Sequence, residues 1–328
     1  MPRVAVITAA KNAAAFIGDA LDSIQAQTFT DWTHVVVDDG STDDTASVVA
    51  ARAASDARVQ LVRLHESVGP FAAANVALES VDAEYVARID ADDVAMPERL
   101  ALQIDRLSST AARACTGGWR VLDASGPRGP VRKPPSHSNA VIKWRMWIRN
   151  GMPHSTLFIA TETLKAYGGY GPERVAEDFR LWAQLARDGL IAAVDEPVLL
   201  WRRWHGQISA AMDARNQPER LRVRLDHISS CDPDGGWTLE DARDLRYLGR
   251  PARYRVGRAM ELLDRWDALW EGDPALTASD RSELAALAFE WRSRHLRHAA
   301  AKQPLPTARA TIGSARALAR QFRGGRRG

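Results

Sequence analysis

The sequence predicts an α/β fold, a mainly parallel central sheet with helices on its faces, followed by a helical C-terminal extension. Three observations carry that prediction. Short apolar runs alternate with segments of helical spacing from Val4 to Ile89. Two of these runs end in carboxylates, Asp38–Asp39 and Asp90–Asp93, and such groups are hard to leave unpaired near a core. Beyond residue 215, long patterns rich in Leu, Ala, Arg and Trp replace the strands. The division gives a first domain over 1–214 and a basic helical extension over 215–328 that ends in a flexible tail.

In chain order, Val4–Thr8 reads as a buried strand, and Ala13–Gln27 carries Phe16, Ile17, Ala20, Leu21 and Ile24 at helical spacing. His34–Val37 is again strand-like. A helix near Thr42–Ala54 follows, with Ser41 or Thr42 as its cap, then a strand at Val59–Arg63, a helix at Phe71–Ser80 and a strand at Tyr85–Ile89. This alternation implies parallel strands joined by right-handed crossovers. Ligands then bind beyond the carboxyl ends of the strands, where loops converge and helix N-termini point outward. Both acidic clusters lie on that rim. Pro127–Pro135 (PRGPVRKPP) holds four prolines and three basic side chains and reads as a mobile loop. Val141–Asn150 reads as a helix with Trp144 and Trp147 three apart, either a packing pair or an acceptor platform. Ala252–Trp270, Ser279–Ala301 and Ala308–Phe322 are helical patterns without a repeat.

With 328 residues, 45% of them hydrophobic, the chain can bury a sizeable core. No apolar run reaches the length of a membrane span, and MPRVAVITAAKN enters a strand pattern directly, so a cytoplasmic location is expected. Cys115 and Cys231 form no CxxC pair, which argues against a disulfide framework or a zinc site. Residues 1–214 hold 22 Lys+Arg and 26 Asp+Glu, whereas residues 215–328 hold 22 and 15. The 38 residues from Trp291 contain ten basic side chains and no acidic one. Such a tail suits an anionic surface, here the inner face of the plasma membrane, with a solvated tail lacking any partner as the plain alternative; nucleic acid is not expected.

The stretch YVARIDADDVAMPERL (Tyr85–Leu100) places three carboxylates directly after a buried strand. One reading makes them caps for a helix begun at Pro97. The other gives them a cation. The loop after the first strand, TAAKN, has no GxGxxG, and no GxxxxGK[ST] occurs, so dehydrogenase and P-loop readings fall away. Without a glycine cradle, a diphosphate needs a divalent cation, and Asp-x-Asp offers hard oxygen ligands for Mg²⁺ or Mn²⁺.

Four strings, VAVITAAKNAAAFIGDALDSIQAQTFTDWTHVVVDDGSTDDT, YVARIDADDVAMPERL, AEDFRLWAQLARDG and LLWRRWHGQIS, resemble in order and spacing the bacterial inverting glycosyltransferases of family 2. The resemblance covers roughly residues 3–210. It implies the GT-A fold, a Rossmann-like nucleotide-diphospho-sugar transferase domain, acting on a nucleotide-diphosphate sugar such as a UDP-sugar and a glycan or lipid-linked acceptor. Carried over residue by residue, Asp39 corresponds to the aspartate that accepts from the uracil imide, with the backbone of Thr8, Ala9 and Ala10 along the base and Asn12 beside it. Asp90 lies near the ribose, and Asp92 with His205 holds Mn²⁺ or Mg²⁺. Asp178 is the catalytic base. Lys11, Asp93, Trp144, His154, Glu177 and Trp182 are supporting or acceptor-side candidates. Two departures matter. Lys11 stands where many relatives carry an aromatic residue, and Ala74 where an arginine is common, so that either another basic side chain such as Arg88 substitutes or donor affinity falls. A sugar-phosphate nucleotidyltransferase would need a glycine- and arginine-rich loop that TAAKNAAAF lacks. A nucleotide-binding scaffold docking through its tail has no use for a base at Asp178.

Overall fold

The computed structural model describes residues 2–171, 176–204, 217–247 and 256–302. The chain forms two compact units, one of Met1–Asn139 with Gly151–Arg220, the other of Ala140–Asn150 with Leu221–Gly328. The helical unit thus recruits residues 140–150 from within the first domain's stretch of sequence.

In the first unit, strands β1 (Val4–Ala10), β2 (Trp32–Asp39), β3 (Val59–Leu64) and β4 (Tyr85–Arg88) lie in the order β3-β2-β1-β4, all parallel. Runs such as VAVITAA and WTHVVVDD are buried on both faces, as strands inside a parallel sheet are. Helices α1 (Ile17–Gln25), α2 (Thr45–Ser55) and α3 (Pro70–Glu79) connect them. α4 (Arg99–Ser108) follows the short strand β5 (Val94–Ala95). The remaining strands are β6 (Ala114–Asp123), β7 (Gly126–Arg132), β8 (Phe158–Ala160) and β9 (Ile191–Arg202). They extend the sheet from β4 as β8-β6-β9-β5, with β7 on β6. This half is mixed, because β8 and β5 run antiparallel to their neighbours while β6 and β9 run parallel.

Three local expectations are corrected. PRGPVRKPP is no mobile loop over its first part: it forms edge strand β7, with Pro127 opposite Leu122 and Arg132 opposite Trp119. An edge strand pairs on one side only, so prolines facing away cost it no ladder bond. Neither Ser41 nor Thr42 caps α2, which begins at Thr45 without a side-chain cap. The aspartates of DADD do not cap α4 either, since its N-cap is Glu98 and no side-chain bond closes it.

The second unit joins the C-terminal part of α5 (Asn139–Arg145) to α8 (Gln217–Cys231), α9 (Leu239–Tyr247), α10 (Val256–Glu271) and α11 (Ala278–Lys302). Helices α6 (Thr161–Ala166) and α7 (Glu177–Arg187) belong to the first unit. Trp144, Trp147, Trp237, Trp266, Trp270 and Trp291 fill the helical core. The Trp144 indole is buried and donates to Asp273 Oδ2 at 2.9 Å, so packing overturns its reading as an acceptor platform. No helix among the described residues is long and apolar enough to cross a membrane. The expected helix Ala308–Phe322 and most of the basic tail lie outside the described residues.

Candidate active site

The first rim is stitched from the loops after β1 and β2. Asn12, at φ 49, accepts from the Thr42 backbone N–H at 2.9 Å, while its own N–H donates to Ser41 Oγ at 3.0 Å. Ala13 donates to Thr45 Oγ1 and Ala14 to Asp43 Oδ2. Asp38 turns the chain by accepting from Ser41 N–H at 3.2 Å. The Thr8 hydroxyl is spent inside the sheet on Ile89 O and His34 Nε2, which leaves the backbone of Thr8, Ala9 and Ala10 as the part that can meet a ligand. Asp39 is 2% exposed and accepts three hydrogen bonds, from Val68 N–H at 2.7 Å, the Ser67 hydroxyl at 2.8 Å and Gly69 N–H at 3.0 Å. A carboxylate has about four lone-pair positions, so one remains for a ligand. Gly40 makes the approach possible: at φ 66 a Cβ there would meet the backbone of Ser67 at 3.0 Å.

The second rim is the DADD loop. Asp90 Oδ1 accepts from the buried Arg88 guanidinium at 2.9 Å, and Asp90 N–H donates to Ser155 Oγ at 3.1 Å. Burial by itself raises the Asp90 carboxyl, but the Arg88 charge leads the opposing influences and brings it below the ordinary value. β5 pairs with the end of β9, Val94 opposite Leu200, which carries Arg202 and Trp204 to the loop. Arg202 donates through Nε to Asp92 O at 2.7 Å and through its backbone N–H to Asp93 Oδ1 at 2.9 Å. Trp204 Nε1 donates to Asp92 Oδ2 at 2.8 Å. Asp93 Oδ2 is buried with no hydrogen-bond partner among the described residues. Burial pushes that carboxyl well above its usual range, and the charges of Asp90 and Asp92 push it the same way.

The third contribution comes from the far strands. β8 pairs antiparallel with β4, Ala87 opposite Phe158, which sets the turn His154–Thr156 beside Asp90. Asp178 is the second residue of α7, where the helix dipole favours negative charge. Ala176, just before it, holds a left-handed φ of 65, a conformation that costs a non-glycine residue and that recurs at functional sites. The Asp178 carboxylate has no hydrogen-bond partner among the described residues, and its charge acts on His154, as does that of Asp90. Burial lowers the His154 imidazole to about 4, so it is neutral near pH 7.

The model of glycosyl transferase family 2 matches residues 5–161. EpsE of Bacillus subtilis (strain 168), a protein named for glycosyltransferase activity, is 31% identical over 196 residues, which span 57% of this chain and 68% of EpsE. The chain belongs to glycosyl transferase family 2. The succinoglycan biosynthesis protein ExoU of Rhizobium meliloti is 46% identical to this glycosyltransferase over a shorter span, 30% of this chain and 28% of ExoU. Among solved structures, S. aureus TarS 1-349 in complex with UDP-GlcNAc shares the GT-A fold, with a TM-score of 0.61 over 90% of this chain and 91% of that one at 16% identity. The mannosyltransferase PcManGT from Pyrobaculum calidifontis, in complex with GDP-Man and Mn2+, reaches a TM-score of 0.54 at 23% identity, over 97% and 80% of the two chains.

In the glycosyltransferase, Asp90, Asp92, Asp93 and His154 gather around one strand end, while Thr8–Ala10, Lys11, Asn12 and Asp39 line the adjoining one. Lys11 is exposed. Trp182 is buried in the core on α7 rather than presented to an acceptor. Glu177 begins α7, and His205 lies outside the described residues. The residues that sequence reasoning passed over are Arg202 and Trp204, although both stand in the string WRRWHGQ from which His205 alone was taken. Ser155, next to His154, was passed over as well.

Proposed function

We propose that the enzyme is a metal-dependent inverting glycosyltransferase that moves a sugar from a UDP-sugar to a hydroxyl of a glycan or lipid-linked acceptor in cell-surface polysaccharide synthesis. The carrying observation is the Asp178 carboxylate, unpartnered among the described residues at the head of α7, whose charge, like that of Asp90, acts on His154. In this reading the acceptor oxygen attacks the anomeric carbon from the face opposite the diphosphate and its proton passes to Asp178. The bond from the anomeric carbon to the diphosphate breaks, and its electron pair leaves with UDP. Asp39 receives the base at its remaining lone pair, the backbone of Thr8–Ala10 lies along it, and Asp90 faces the ribose. Asp92 and Asp90 offer hard oxygens two residues apart, a donor set that fits Mn²⁺ or Mg²⁺. Among the described residues no three His, Cys, Asp or Glu side chains are grouped to hold an ion, so the diphosphate, water and His205 would complete the set. Bound there, such an ion neutralises charge on the departing diphosphate.

The relatives support this reading. WfgD of Escherichia coli, 25% identical over 193 residues, is named a UDP-Glc:alpha-D-GlcNAc-diphosphoundecaprenol beta-1,3-glucosyltransferase, and ExoO and ExoU are named for succinoglycan biosynthesis. Asp92→Ala should abolish Mn²⁺-dependent UDP binding in calorimetry and leave folding intact, since Asp92 sits on the rim; unchanged UDP affinity with Mn²⁺ overturns the assignment. A cytoplasmic enzyme docking its basic tail on the inner membrane face would float with anionic liposomes at low salt, each basic side chain contributing about 1 kcal/mol near the surface. Equal flotation of the full chain and of one ending at Trp291 rules the tail out.

A further inference from the structure

Four buried polar atoms beside Asp90 have no hydrogen-bond partner among the described residues: Arg88 Nε and Nη1, His154 Nε2 and the Tyr170 hydroxyl. Arg88 and Tyr170 are 2% and 1% exposed. These atoms come from separate elements yet surround one corner. The rings of His154 and Tyr170 meet edge to face with centroids 5.1 Å apart, and Phe71, on α3, lies 5.9 Å from the first and 6.1 Å from the second. The charges of Arg88 and Asp90 act on both His154 and Tyr170.

The placement of Tyr170 is built. Its backbone N–H donates to Asn75 Oδ1 at 2.9 Å. The preceding Gly169, at φ 68, leaves room that a Cβ would take, because that atom would stand 2.5 Å from Asn75 Oδ1. About nine in ten buried polar groups in folded proteins are paired. A cluster of four that are not, around one aromatic corner, marks a place where a ligand completes the bonding.

The chemistry of the corner narrows that ligand. Arg88 offers two N–H donors, neutral His154 and the Tyr170 hydroxyl can each give or take a hydrogen bond, and Phe71 offers an apolar face. Burial holds the Tyr170 phenol up to about 12, so it stays protonated. Such a set matches the hydroxyls and C–H face of a pyranose. The charges of both Asp90 and Asp178 act on His154 in this corner, and the anomeric carbon must sit near Asp178 if that residue serves the acceptor. The Arg88 charge is already matched by Asp90 at 2.9 Å, and Asp178 adds a second anion, so among these side chains a carboxylate on the sugar would face two anions with one cation, while an ion at Asp90 and Asp92 is taken up by the diphosphate.

We infer that Arg88, His154 and Tyr170 form the subsite for the transferred sugar, and that this sugar is a neutral hexosyl group rather than a uronate. The inference rests on the donor reading above. Its test is calorimetry with Mn²⁺ on the full chain and on Tyr170→Phe, with UDP, UDP-glucose, UDP-N-acetylglucosamine and UDP-glucuronic acid as probes. The removed hydroxyl has no hydrogen-bond partner among the described residues, so the variant should fold as well as the parent. UDP affinity should stay within about two-fold, while the best neutral donor weakens about five-fold, the worth of one uncharged hydrogen bond. UDP-glucuronic acid should bind the parent at least about ten-fold more weakly than that donor. His154→Phe, which keeps a ring in the corner and removes Nε2, should repeat the pattern. Tightest binding by UDP-glucuronic acid, or equal changes for UDP and UDP-sugar in Tyr170→Phe, or no change in either, overturns the inference. A parent that binds no UDP overturns the donor reading, and this inference with it.

Discussion

Asp39→Asn separates the structural work of that carboxylate from its proposed contact with a base. In the parent, Oδ1 takes Val68 N–H, while Oδ2 takes Gly69 N–H and the Ser67 hydroxyl. An amide must turn its NH₂ toward one of these oxygen positions. If it replaces Oδ2, the Ser67 hydroxyl can rotate and accept, but Gly69 N–H faces another donor. If it replaces Oδ1, Val68 N–H does. Either way one backbone donor is orphaned, at about 1–3 kcal/mol, and the surviving bonds lose the charge that strengthened them. Ser67 and Val68 are exposed, so water recovers part of this, and the net loss should be about 2 kcal/mol. That corresponds to a fall in Tm of about 4–8 °C for a unit of roughly 200 residues. Hydrogen-exchange mass spectrometry should show faster exchange confined to the peptide covering Val68 and Gly69. Ser67→Ala, which keeps the charge and both backbone bonds, should lower Tm by less and preserve UDP affinity. An Asp39→Asn protein with unchanged Tm and unchanged exchange at 68–69 would refute the account of the loop.

Asp178→Asn should keep UDP-sugar affinity yet lower turnover by about 10²–10⁴, the usual worth of a general base; lost donor binding with turnover retained at saturating donor would reassign it to the nucleotide. Asp93→Asn tests a pH dependence. The folded protein raises the Asp93 carboxyl, so the stability this group contributes is full below the ordinary carboxylate value of about 4 and is lost as pH rises through the raised folded value. Asparagine cannot ionise and keeps an acceptor for Arg202 N–H, so the variant should gain on the parent as pH rises from 4. Thermal midpoints of the two proteins that run parallel across that range would contradict it.

Strands β1 and β2 were legible because strands buried on both faces are written as near-continuous apolar runs, and the carboxylates after β2 and β4 mark the rim. Strand β5 was not legible. It is two residues long, yet its pairing with β9 is what delivers Arg202 and Trp204 to Asp92 and Asp93. β7 was hidden because proline signals a loop in most contexts and an edge strand only when its partner is known. Residues 140–150 pack with helices that begin about seventy residues or more further along the chain, and nothing local announces such partners. The orphaned atoms of Arg88, His154 and Tyr170 have no sequence signature, since being unpaired is a property of the assembled fold.

Three carboxylates can follow a buried strand because each is accommodated differently. Asp90 is paired with Arg88, itself buried on the strand two residues earlier. Asp92 is held at the rim by the Trp204 indole and, through its carbonyl, by Arg202. Asp93 is the innermost, and burial, with the charges of Asp90 and Asp92 acting the same way, raises its carboxyl well above the ordinary range. Beneath them Arg99, fully buried, braces the strand end by donating to Arg88 O at 2.7 Å and Leu157 O at 3.2 Å. The loop is therefore set before any ligand arrives, and Asp90 and Asp92, the groups proposed to meet the donor and a cation, remain at the surface of a bonded platform. Replacing Arg88 would then do more than remove two donors from the corner beside Tyr170. It would also release Asp90 from its ion pair, which is why the hydroxyl of Tyr170, without a hydrogen-bond partner among the described residues, is the cleaner probe of that corner.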